Sequence, residues 1–238
     1  MKNVVIRMIS STDNAKIKEL AKLNQSKYRK EKQMFIVEGA HLVKEAKNLG
    51  LLIEAFSLNE IDGFTQVSDQ VMKKLCNTNT VVDQVGICKM ISNQKLSNKI
   101  LLLDRVSDPG NMGALMRSAK AFGFDTIVLG DGCVDIYNDK VIRSSQGAIF
   151  KLNYVNSNLV NFIKEHKEYK IYGTNVVNGI DVSEVECVDK MGVVLGNEGQ
   201  GISKEVFDVL EKNIYIPMKN TESLNVSIAG SIIMYMLG

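Results

Sequence analysis

The chain has no tryptophan, two prolines, two histidines and four cysteines among its 238 residues, and each scarcity removes a class of protein. Cys76, Cys88, Cys133 and Cys187 form no CxxC pair, and His41 and His166 flank no carboxylate or thiol at ligand spacing. Neither a disulfide framework nor a metal site is therefore expected. No stretch reaches the roughly 20 apolar residues that a bilayer span requires, and the N-terminal MKNVVIRMISSTDNAK lacks the apolar core of a secretion signal. The expected setting is the reducing cytoplasm, with no membrane and no metal. A Walker loop, GxSxG and HExxH are also missing, which removes the standard kinase, hydrolase and zinc-protease chemistries. Gly130 and Gly132 follow an apolar run, but Asp135 stands where a dinucleotide fingerprint needs its third glycine; the segment predicts a turn.

What is present is 45% hydrophobic and 24% charged residues, enough for one large or two modest domains with their own cores. The net charge of +2 conceals an asymmetry. Before Ile100 there are 16 basic and 10 acidic residues, net +6; from Ile100 onward there are 13 and 17, net −4. A basic half joined to an acidic half suggests a polyanion-binding module attached to something else. The expected boundary lies in the polar stretch SNQKLSNK, Ser92 to Lys99, giving domains 1–95 and 96–238.

In the first half, Ser11 to Asp13 can cap a helix with Ile17, Leu20 and Ala21 on one face. Lys16, Lys18, Lys22, Lys27, Arg29, Lys30 and Lys32 crowd along the same region. A strand Met34 to Val37, a helix with Leu42, Val43, Ala46 and Leu49 inward, a strand Leu52 to Leu58, a helix Ser68 to Leu75 and a strand Gly86 to Ile91 complete a small α/β module. The second half predicts strands at Ile100 to Leu103, Thr126 to Leu129, Lys170 to Thr174, Met191 to Leu195 and Ile214 to Ile216. Short apolar strands alternating with helices read as a mostly parallel sheet covered on both faces.

Ligands of such sheets bind at strand ends, and three segments there are dense in turn and polar residues. In DRVSDPGNMGALMRSAKAFGFD, Asp104 to Asp125, Pro109 and Gly110 make a turn and Asn111 can cap the next helix. At 100° per residue, Arg117 projects about 200° from Leu115, away from the face shared by Leu115, Ala119 and Phe122. In VVLGNEGQGIS, Val193 to Ser203, three glycines wrap Asn197 and Glu198 and can expose backbone polar groups. In IPMKNTESLNVSIAGSIIMYML, Ile216 to Leu237, a polar loop enters a helix that is apolar nearly all round, which must be covered on several sides.

In order and spacing these segments closely resemble the three signature motifs of the SpoU (TrmH-like) RNA 2'-O-ribose methyltransferases of the SPOUT superfamily. The first is similar to DPGNxGxxxRxAxAFG, the second to LGxExxG, the third to IPMxxxxESLNVSxA; IRSSQGAIF, Ile142 to Phe150, resembles an intermediate element. SSTDNAKIKELAKL and KYRKEKQMFIVEGAHLVKEA resemble the small RNA-binding domain that precedes the catalytic domain in many members. Against that family's pattern the third loop, Lys219 to Glu222, is one residue shorter, with Asn220 where glycine is frequent.

The resemblance implies an α/β domain with a C-terminal trefoil knot, S-adenosylmethionine as cofactor, a homodimer, and methylation of a ribose 2'-hydroxyl in ribosomal or transfer RNA. By residue, it implies Arg117 and Asn111 in catalysis, Thr174, Gly196, Ile216 and Leu224 at the cofactor, and Glu198, Ser223 and Asn225 as motif residues. Lys27, Arg29, Lys30, Lys32 and Arg143 are the expected RNA contacts. A noncatalytic RNA-binding or ribosome-assembly factor that keeps the fold is the competing expectation.

Overall fold

A computed structural model describes residues 8–78, 82–91, 95–176 and 179–238. The chain divides into two compact units, one made of Met1–Met90 with Tyr137–Arg143, the other of Ile91–Ile136 with Ser144–Gly238. Residues 92–94 of the expected linker lie outside the described residues.

The first unit begins with α1 (Ala15–Ala21) and α2 (Ser26–Lys32), followed by β1 (Met34–Glu38), α3 (Ala40–Asn48), β2 (Leu52–Ser57), β3 (Thr65–Gln66), α4 (Asp69–Leu75) and β4 (Gln84–Lys89). Its sheet has the order β1-β4-β2-β3, antiparallel except for the β2–β3 pair. Ile17, Leu23, Phe56, Val71, Met72 and Leu75 form its core. The cap of α1 is Asn14, whose side chain accepts from the Lys16 and Ile17 amides, instead of Ser11 or Asp13. Leu49, expected inward, is exposed because it is the C-cap of α3 and has left the helical face.

The second unit contains β5 (Lys99–Leu103), α5 (Pro109–Ala121) and β6 (Thr126–Leu129). After α6 (Asp139–Ser145), most of which groups with the first unit, come β7 (Asn153–Asn156), α7 (Leu159–Glu165), β8 (Lys170–Thr174), β9 (Ile180–Asp181), β10 (Met191–Leu195), α8 (Lys204–Phe207), β11 (Lys212–Tyr215) and α9 (Val226–Leu237). The strands form one sheet in the order β7-β6-β5-β10-β8-β11-β9, with every pair parallel. Central strands β5 and β10 are almost wholly buried, which matches their unbroken apolar runs. The chain leaves β5 toward β6 and β7, then returns to the other side, so the ends of β5 and β10 form the switch point where open sheets take ligands. Among the described residues no helix is long and apolar enough to cross a membrane.

Helix α5 starts with Pro109 in its first turn and is capped by Asp108, whose carboxylate accepts from the Asn111 amide. Asn111, expected as the cap, lies one turn further in; this leaves its side chain available to other partners. A glycine is required at Gly113, where a Cβ would stand 1.9 Å from Ser144 Oγ and 2.8 Å from that residue's carbonyl carbon. The Ser144 hydroxyl in turn donates to the Pro109 carbonyl at 3.0 Å. Backbone atoms cannot swing aside, so Gly113→Ala should lower unfolding free energy by about 1–3 kcal/mol. Urea denaturation checks this; an unchanged midpoint would mean that α5 does not need the close approach.

Candidate active site

Parallel pairing aligns Leu103 with Leu195, and the Asp104 amide continues the ladder by donating to the Leu195 carbonyl at 2.9 Å. The loops after β5 and β10 therefore emerge side by side. The second loop folds on itself: Asn197 and Gly201 exchange backbone hydrogen bonds, and Asn197 Oδ1 accepts from the Gly199 and Gln200 amides. Gly196 allows this closure, because a Cβ there would lie 2.1 Å from the Gly201 carbonyl carbon and 2.2 Å from the Ile202 nitrogen.

The result is that Glu198 faces the first loop. Its carboxylate accepts from the Asp108 amide at 3.1 Å and Asn111 Nδ2 at 3.1 Å, with longer contacts from the Ser107 amide at 3.5 Å and hydroxyl at 3.4 Å. Asn197 Nδ2 spans the loops, donating to the Arg105 carbonyl at 3.0 Å and to Glu198 at 3.3 Å. The third segment joins through Asn225, whose Nδ2 donates to Asn111 Oδ1 at 3.0 Å while its own Oδ1 caps α9 at the Ser227 and Ile228 amides. Partial burial pushes the Glu198 pKa up, but hydrogen bonds from Asn111 and from the loop amides outweigh it and hold the carboxyl below its ordinary value. The group is an anion at neutral pH.

Beside this network lies a cavity of about 410 Å³, within the range of small-molecule sites. Thr174, Gly196, Ile216 and Leu224 all line it, as do Glu198 and Ser223. Thr174 is anchored by its hydroxyl, which donates to the Val194 carbonyl at 2.9 Å. Sequence reasoning missed Tyr215, Phe207 and Val176, which also line the cavity; all three stand outside the motifs, and only Tyr215 and Val176, by adjacency to predicted strand ends, carried a signal that could have indicated them. Asn220 has φ 62°, a left-handed conformation that asparagine tolerates better than most residues.

Arg117 is exposed on α5, as its position on the helical wheel predicts, and does not line this cavity. Lys27, Lys30 and Lys32 are exposed on the first unit. Arg29 is a correction: it is 5% exposed, and its Nη1 donates to the Leu23 and Asn24 carbonyls at 3.0 Å each. Its charge serves the preceding turn and is not offered to a ligand. Arg143 is half-buried and bonded to Asp139, four residues earlier, at 2.9 Å. Burial pushes the Cys76 and Cys88 thiols up to about 12, so neither is a nucleophile. No group of metal-ligating side chains occurs among the described residues.

Residues 98–235 match the model of the SpoU rRNA Methylase family, and residues 14–85 that of the MRM3-like substrate binding domain. The chain is 35% identical over 247 aligned positions to the 23S rRNA (guanosine(2553)-2'-O)-methyltransferase RlmP of Bacillus subtilis, covering 98% of this chain and 99% of that one. Among solved structures, an RNA 2'-O ribose methyltransferase is 27% identical with a TM-score of 0.80, covering 97% of this chain and 98% of its own. An AdoMet-bound rRNA methyltransferase from Sinorhizobium meliloti, 24% identical, shares the fold with a TM-score of 0.85 over 97% of each chain.

The lowered pKa of Glu198 fixes the sign of a pH effect. A carboxyl with a folded pKa below its unfolded value, ordinarily 4.5, contributes stability above that value and loses it as pH falls through the folded pKa. Below about pH 4.5 the wild type should therefore lose more stability than Glu198→Gln, whose side chain does not titrate. Urea midpoints of the two proteins between neutral pH and the acid limit check this; parallel curves would refute it.

Proposed function

Because the chain belongs to the SpoU rRNA methylase family, we propose that it transfers the methyl group of S-adenosylmethionine to the ribose 2'-hydroxyl of a guanosine in 23S ribosomal RNA, the type of nucleotide named for the Bacillus relative. The observation that carries this reading is the Asn225–Asn111–Glu198 chain of hydrogen bonds beside the 410 Å³ cavity. It is an enzyme site and not merely an RNA-binding surface, since polar groups converge where a small cofactor and a hydroxyl can meet. Cytoplasmic ribosomal RNA would be the substrate.

The cavity suits the cofactor chemically. Leu195, Ile202 and Ile233 offer apolar wall, the segments at Gly196 and Ile216 offer backbone polar groups, and Glu198 is an anion at the edge. Thr174, Gly196, Ile216 and Leu224 would hold the cofactor, with Ser223 beside them. When bound, S-adenosylmethionine supplies an electrophilic methyl on a positively charged sulfur. Glu198 is already engaged by Asn111 and by loop amides, so it orients Asn111, and the hydroxyl proton would leave to solvent as the oxygen–methyl bond forms and the methyl–sulfur bond breaks. Holding the ribose in line with the methyl supplies much of the rate.

Arg117 is assigned to the oxygen that develops negative charge; a guanidinium with a pKa of roughly 12.5 or more is a poor base. Six residues after Asn111, it sits about 9 Å further along α5 and about 240° around it. Arg117 of a second copy would then complete the site. A homodimer through α9 fits this, because Ile228, Tyr235 and Met236 are 53%, 71% and 40% exposed on that helix.

The first unit is assigned to RNA capture, and domains 1–95 and 96–238 to substrate binding and catalysis respectively. Lys27, Lys30 and Lys32 present exposed ammonium groups, and Tyr28 lies beneath both Lys22 and Lys27. Arg143 is left a supporting contact, since Asp139 neutralises part of its charge.

Arg117→Ala should bind S-adenosylmethionine normally by calorimetry yet transfer methyl groups to 23S rRNA at least 100-fold more slowly. Light scattering should give a mass near twice 26.4 kDa, and mixing Arg117→Ala with a Gly196→Val protein should restore part of the activity. A fully active monomer, or full activity of Arg117→Ala, would refute the assignment. For RNA capture, Lys27→Glu with Lys30→Glu should weaken binding and reduce the slope of log affinity against log salt by roughly 0.7–0.9 for each phosphate that is no longer neutralised. Filter binding across a salt series measures it, and an unchanged slope would place RNA capture on another surface.

A further inference from the structure

We propose that Arg105 is a specificity-determining residue that reads the base edge of the target guanosine; this rests on the guanosine substrate proposed above. Arg105 stands two residues after the end of β5 and has φ 59°, a left-handed conformation that a non-glycine residue adopts only when its surroundings enforce it. Two neighbours enforce it here. Its carbonyl accepts from Asn197 Nδ2 at 3.0 Å, and its side chain crosses Gly132 so closely that a Cβ there would meet Arg105 Cγ at 3.1 Å. The strained backbone therefore aims the side chain beside the Glu198 loop.

The guanidinium is aimed but not used up. Nε lies 3.3 Å from the buried Asp104 carboxylate without forming a hydrogen bond, and Nη1 donates to Gln200 Oε1 at 3.1 Å. A guanidinium has five N–H donors, so most of them remain, on a side chain that is 36% exposed. Gln200 itself lines the cofactor cavity, and Asn197 bonds both Arg105 and Glu198. The guanidinium is thus tied through Gln200 to the wall of that cavity, and the Arg105 backbone through Asn197 to the Glu198 carboxylate that orients Asn111.

Charge decides which part of RNA they fit. The Asp104 carboxylate already offsets the arginine, and Asp131 and Glu205 border the same concavity of about 260 Å³. A phosphate would meet those carboxylates, whereas a neutral base edge needs direction and little net charge. Guanine presents two acceptors, O6 and N7, to a guanidinium fork, and its N1–H and exocyclic amine can donate to a carboxylate such as exposed Asp131. Adenine reverses the polarity at position 6, placing a donor against the donors of Arg105.

The test uses full-length protein, S-adenosylmethionine, and 23S rRNA fragments carrying guanosine, adenosine or 7-deazaguanosine at the methylated position. Arg105→Gly removes the side chain and suits the left-handed backbone, while Arg105→Asn provides a second variant that also tolerates it. Calorimetry should show unchanged cofactor affinity in both. The expected result is a roughly 10- to 100-fold loss of kcat/KM on the guanosine fragment, with the guanosine-to-adenosine ratio falling toward one. The 7-deaza substitution should slow the wild type and leave the variants unaffected. Equal losses on all three fragments would overturn the proposal in favour of a phosphate contact, and wild-type rates in the variants would overturn it outright. A wild type that methylates none of the fragments would overturn the guanosine assignment together with this inference.

Discussion

The site depends on β10 being inserted between β5 and β8. That placement aligns Leu103 with Leu195, so two loops about ninety positions apart leave the sheet as neighbours. Everything at the site then follows from satisfying their polar groups. The amide of Asp108 at the head of α5 needs an acceptor, and the Glu198 carboxylate supplies it. Helix α9 is drawn to the same place by packing: a Cβ at Gly230 would lie 2.5 Å from Leu195 Cδ1 and 2.6 Å from Leu115 Cδ2. Ser118 and Ser231 share a hydrogen bond across that contact. With the helix so close, Asn225 reaches Asn111.

Much of the fold is legible because buried parallel strands are unbroken apolar runs, and Lys170 to Thr174 and Met191 to Leu195 match their strands to the residue. Strands β3 and β9 are not legible, since two residues carry no periodicity. Neither is β7, Asn153–Asn156, whose alternation is too short and whose edge position leaves it polar. Arg29 misleads for a different reason. It stands in a run of lysines, and composition assigns such a run to the surface. The turn at Lys22–Asn24 leaves carbonyls that need donors, and one guanidinium serves two of them.

For the site, the sequence reveals which residues are present but not how they meet. Glycine at 196 and asparagine at 111 are visible as turn chemistry, while the Asn111–Glu198 contact is a property of strand order. The role given to Arg117 enters only through the family resemblance, because an exposed helical arginine is ordinary. Arg105 leaves no mark at all: what distinguishes it is a left-handed backbone held by Asn197, which no residue spacing encodes.

On the proposed assignment, the two units divide the work of recognition along the same line as their charge. Lysines with little competing carboxylate, as at Lys27 and Lys30, attract a polyanion over a Debye length without regard to sequence. The second unit carries more acidic than basic residues and contributes little to that attraction. Its carboxylates serve orientation instead: Glu198 fixes Asn111, and Asp104 accepts from the Ser203 amide while partly neutralising Arg105. An orienting carboxylate would be a liability on a surface that had to collect RNA, and a free lysine would be too mobile to choose one hydroxyl among many. With capture and selection so assigned, affinity would arise in one unit and selection in the other, and the near-neutral net charge would be the sum of those two opposite requirements.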